Sequence, residues 1–79
     1  SDARVQFVLD HLKEMKENRV TPNLRTFNAI LYTLRRCSLF DRGPSLALQI
    51  LNEMKQCQIE PSLGSWAHLL MIFYPNDQL

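Results

Sequence analysis

Seventy-nine residues make one small domain or a piece of a larger one, and at this size a single core is marginal without further support. Nine Lys and Arg against eight Asp and Glu leave a formal charge of +1, so bulk charge argues neither for nor against nucleic acid; only a local patch could. The longest wholly apolar run, Leu69 to Tyr74, is too short to span a bilayer, and Cys37 and Cys57 have no paired neighbour, so they read as buried, unreactive thiols rather than a disulfide or a metal site.

The 3.6-residue apolar period predicts four helices and no strands. The first runs from about Asp2 to Asn18 with the stripe Val5, Val8, Leu9, Leu12 and Met15. Ser1 or Asp2 can cap its start, and Asn18 suits its end. Pro22 breaks the pattern, and Asn23 can cap a second helix from Leu24 to about Cys37. Its core face is Phe27, Ile30, Leu31 and Leu34, the i, i+3, i+4, i+7 spacing of one helical side. Between Ser38 and Gly43 the helix must stop, and Asp41-Arg42-Gly43-Pro44 reads as a turn with a restart at the proline. A third helix follows to about Cys57, with Ala47, Ile50, Leu51 and Met54 inward. Pro61 and Ser62 then repeat the break and the cap. The fourth helix, Leu63 to Phe73, turns Trp66, Leu69, Leu70 and Phe73 inward and stops before Pro75.

Helices three and four repeat the wording of helices one and two at a constant offset. Glu14-Met15-Lys16 returns as Glu53-Met54-Lys55, Pro22 as Pro61, Leu24 as Leu63 and Phe27 as Trp66, each pair 39 residues apart. A period between about 20 and 50 residues marks a repeat array. Each helical pair is too thin to bury its own stripe, and stacking on neighbours gives an all-α, solenoid-like layer of helical hairpins. Residues 1–23 are then the second helix and closing turn of one unit, 24–62 a complete unit, and 63–79 the first helix of the next with a tail. The chain opens mid-pattern and without an initiator Met, so it reads as a segment flanked by further repeats, with equivalent burial expected for Phe27 and Trp66.

The tetratricopeptide pattern needs a Leu-Gly that Thr26-Phe27-Asn28-Ala29-Ile30-Leu31-Tyr32-Thr33-Leu34 lacks. That opening, with Glu53-Met54-Lys55 and Pro61-Ser62 at the close, resembles instead the pentatricopeptide repeat. Glu14-Met15-Lys16 and Pro22-Asn23 match the close of a preceding copy, and Ser65-Trp66 a weaker opening of a following one. The unit is four residues longer than the family's usual length of about 35. The excess falls near Arg42-Gly43-Pro44-Ser45, where a turn absorbs it at little entropic cost. With this insert the wording is similar to a mitochondrial branch of the family on the small ribosomal subunit. The resemblance implies a location in the mitochondrial matrix. It implies single-stranded or ribosomal RNA as partner, with mitochondrial small-subunit ribosomal proteins as neighbours, and no cofactor, DNA or membrane.

Arrays of this kind read one base per repeat with two or three side chains. The resemblance assigns base reading to Asn28 and Ser62 in the complete unit and to Asn23 at the close of the one before. Ala67 takes the matching place in the next unit and has no hydrogen-bonding head. The spacing of Arg25, Asn28, Tyr32 and Arg36 by 3, 4 and 4 makes one polar stripe away from the core stripe. Arg25 and Arg36 can meet phosphates and Tyr32 can stack on a base, although such residues also suit an ordinary solvated face. Arg25 stands where the family carries a small apolar residue that sandwiches the base, which favours backbone contact over a sequence code.

No catalytic motif is present: no nucleophile elbow, Walker loop, zinc-protease or paired-cysteine pattern occurs. His11 and His68 fall in different helices, and His11, at the place of Ile50, reads as a partly buried spacer. Asp10 and Glu14 with Lys13 and Lys16 read as a solvated charged face. Two functions fit: an RNA-associated scaffold, or a helical module whose same face takes a peptide or another subunit.

Overall fold

The computed structural model describes residues 2–37 and 40–74. These form four α-helices, α1 (Asp2–Glu17), α2 (Leu24–Arg36), α3 (Gly43–Gln56) and α4 (Leu63–Phe73), with a 3-10 turn at Phe40–Arg42 before α3. No strand occurs among the described residues. The expected boundaries agree to within about a residue, inside the ordinary fraying of helix ends. The proposed cap at Ser1, the break at Ser38 and the stop at Pro75 lie outside the described residues.

Two helix ends close identically, 39 residues apart. Arg19 and Gln58 both take the left-handed backbone at φ 59°. Val20 N–H donates to the Met15 carbonyl at 2.8 Å and Arg19 N–H to that of Lys16 at 3.1 Å; Ile59 to Met54 at 2.9 Å and Gln58 to Lys55 at 3.0 Å repeat the pair. This is the Schellman pattern, which satisfies carbonyls that a helix end leaves orphaned. It turns the chain toward Pro22 and Pro61, so the Glu-Met-Lys wording is the last turn of each helix before its reversal.

α2 packs on α1, α3 and α4, most extensively on α4, while α4 packs on α2 and α3. One core runs through all four helices: Val5 and Leu12, then Phe27, Ile30, Leu31 and Leu34, then Leu46, Ala47, Ile50 and Met54, then Leu69 and Ile72. The α2 stripe is buried as the period predicts, and full burial of each such side chain is worth about 1.5–3 kcal/mol. Val8, Leu9, Leu51 and Phe73 pack against the core at its edge.

Four expectations are revised. Trp66 and Leu70 are not core: they are 45% and 55% exposed, whereas their counterparts Phe27 and Leu31 are fully buried. α2 has neighbours around it, but on α4 only Ser65, Leu69 and Ile72, on its face toward α2 and α3, are buried. Met15 is only partly covered although Met54 is fully buried, and His11 is exposed where its counterpart Ile50 is fully buried, because α1 likewise lacks helices on both sides. The restart expected at Pro44 holds to within a residue, and it takes most of the extra residues into the helix: Gly43, Pro44 and Ser45 are the first turn of α3, with Gly43 buried, Pro44 at a position that needs no amide donor and Arg42 as the N-cap.

Candidate RNA interface between α2 and α4

Asn23 and Ser62 occupy the N-caps of α2 and α4, both with extended backbone. Asn23 Oδ1 accepts from the Thr26 amide at 2.9 Å and from the Thr26 hydroxyl at 3.0 Å. Ser62 Oγ accepts from the Ser65 amide at 3.2 Å, and the Ser62 amide donates to Ser65 Oγ at 3.0 Å, a reciprocal capping box. The fold therefore employs both residues first as helix caps, each worth about 1 kcal/mol against alanine.

α2 and α4 run side by side, and this brings Asn28 to Ser62. Asn28 Nδ2 donates to Ser62 Oγ at 3.5 Å. Ser65 Oγ donates to Asn28 Oδ1 at 2.5 Å and lies 3.1 Å from Ser62 Oγ. Ser65 is fully buried, so this three-residue cluster satisfies a hydroxyl inside the core. The two candidate readers meet, but each has a bonding group turned inward.

One turn further along α2 the chemistry changes. Tyr32 is half-exposed and meets the His68 ring edge-on, with centroids 5.6 Å apart and planes at 67°. Arg36 holds its guanidinium carbon 5.7 Å from the Tyr32 centroid and donates to the phenol oxygen at 3.5 Å. Arg35 Nη1 lies 3.1 Å from His68 Nδ1. A guanidinium can only donate, so His68 Nδ1 holds a lone pair and the neutral ring carries its proton on Nε2. Burial, and then the adjacent Arg35 charge, hold the His68 pKa below the ordinary imidazole value.

Arg25 is not part of this group. It lines a cleft of about 370 Å³ on the α1 side of α2, with Phe7, His11 and Ala29. Ala67 is exposed. Three contributors escape sequence reasoning: Ser65, Arg35 and His68. The Ser62-x-x-Ser65 spacing is a capping signal that could have marked the first. The other two depend on the stagger between α2 and α4, which the repeat offset does not encode.

The pentatricopeptide repeat domain model matches residues 5–36 and 37–75. The small ribosomal subunit protein mS39 of Mus musculus is 53% identical over 70 residues, covering 89% of this chain and 10% of that protein. The proteins of the same name in Danio rerio (54% over 69 residues, 87% of this chain and 10% of the relative) and Drosophila melanogaster (41% over 73 residues, 92% and 11%) are also similar. The chain thus spans about a tenth of the length of these curated relatives. No solved structure matches it. The matched repeats, the paired helix closures and the side-by-side α2 and α4 together place the chain in the pentatricopeptide repeat family.

Proposed function

We propose that this chain is an RNA-contacting scaffold segment of the small subunit of the mitochondrial ribosome, acting in translation within the mitochondrial matrix. The carrying observation is the α2–α4 face, where Tyr32, Arg35 and Arg36 stand together and neither guanidinium meets a carboxylate among the described residues. The small-subunit name of the relatives supports the same setting. Units 1–23, 24–62 and 63–79 form the working frame, with 24–62 as the complete repeat. The role is binding rather than catalysis. Arg36 meets phosphate and Tyr32 offers a stacking surface, while Arg25 reaches the strand from the neighbouring cleft. Asn28, Ser62 and Asn23 read bases only weakly, because their inward bonds compete with a base edge.

The test is RNA affinity across a salt series, with several single-stranded sequences. Arg36→Ala should weaken all sequences alike and flatten the salt slope by about 0.7 per lost phosphate contact. Asn28→Ala should shift base preference by less than the roughly 1–3 kcal/mol of a direct reader. Unchanged affinity and slope in Arg36→Ala and Arg25→Ala would remove the RNA reading of this face. The second reading, docking of small-subunit proteins, is favoured by the apolar exposure of Leu63, Trp66 and Leu70 on α4. Loss of a protein partner with Trp66→Gln, at full RNA affinity, would favour it.

A further inference from the structure

Arg35 and His68 come from different helices and different repeats, yet they meet at 3.1 Å on the same face as Tyr32 and Arg36. We propose that Arg35 and His68 form a proton-coupled clamp for one phosphodiester of a bound RNA strand, a proposal that rests on the RNA reading of this face. In the free protein the neutral imidazole accepts from Arg35, which occupies one guanidinium edge. A protonated ring has no lone pair at Nδ1, so it cannot accept that bond. The guanidinium is then released, and His68 and Arg35 become adjacent donors, both cationic. A phosphodiester supplies two anionic, non-bridging oxygens that accept from both. Binding is therefore linked to uptake of one proton from the buffer by His68, and each favours the other.

The surroundings fit this assignment. On α4 His68 is the sole charged or titratable side chain. From α2 the groups facing it are Tyr32 and Arg35, with Arg36 behind Tyr32. From α3, Glu53 is held by Lys16 of α1, and Lys55 lines a separate cleft with Leu48 and Asn52. No carboxylate competes with an incoming phosphate among the contacts of Arg35 or His68. Burial and then the Arg35 charge lower the His68 pKa, which favours the neutral ring in the free protein.

The experiment measures binding of a short oligouridylate to the full chain from about pH 8.5 to about pH 5.5 at constant ionic strength, together with the His68 ring ¹⁵N shifts. Wild type should tighten as pH falls, by about tenfold for each unit by which RNA raises the His68 pKa. His68→Gln should lose the gain on acidification, read as the ratio of its low-pH to its high-pH affinity. Arg35→Gln should weaken binding and lose most of the slope. Equal slopes in wild type and His68→Gln, or a His68 pKa unmoved by RNA, would overturn the clamp. Arg36→Ala separates the two levels. If it weakens RNA while His68 fails to respond, the clamp alone falls; if RNA binds at no pH, clamp and RNA reading fall together.

Discussion

Asn28 carries two loads that pull in different directions. As a reader it would need a free carboxamide edge, but Ser65 and Ser62 already engage both of its ends. Removing one partner of a buried bond leaves the other with its desolvation cost, about 1–3 kcal/mol. Asn28→Ala should therefore lower stability by about 1–2 kcal/mol in chemical denaturation, a larger effect than its shift in base preference. A variant as stable as wild type would mean that Ser65 is fully satisfied by Ser62. His68 adds a pH-dependent contribution of known sign. Its folded pKa lies below the unfolded value, so the unfolded chain binds the proton more readily. The associated stability is present above the ordinary imidazole range and is lost as pH falls from that range to the lowered value.

At the scale of the helix, the contrast between α2 and α4 is one of neighbours rather than of residues. Phe27 and Leu31 are sealed, and Trp66 and Leu70 at the same repeat positions are not. Leu31→Ala should cost about 2–5 kcal/mol, whereas Leu70→Ala should stay within about 0.5 kcal/mol. Equal losses in thermal or urea unfolding would show that α4 is sealed in solution. The same contrast explains what the sequence made legible. The period identifies four helices, their caps at Asn23 and Ser62, and the whole buried face of α2, because these follow from local spacing and local hydrogen bonds. It cannot say which stripe of α4 or α1 has a helix to meet, so Trp66, Leu70, Met15 and His11 were misplaced. It also cannot supply the sideways stagger that joins Arg35 to His68.

Across the whole molecule, α1 and α3 are joined by Lys16, whose Nζ lies 2.8 and 3.0 Å from the two carboxylate oxygens of Glu53. Both belong to the Glu-Met-Lys wording, but to different copies: the lysine of one meets the glutamate of the next. An exposed pair of this kind contributes about 0.2–1 kcal/mol. Lys16→Glu should destabilise by roughly that amount through repulsion, and the double exchange Lys16→Glu with Glu53→Lys should recover most of it in urea unfolding. No recovery would mean that the pair is incidental. What the arrangement supplies beyond energy is polarity. Each copy carries an acid on one flank and a base on the other, so neighbours interlock in one order and repel in the reverse. Between α1 and α3 the three repeated letters thus act as a keyed joint, setting which flank of each helix faces the other.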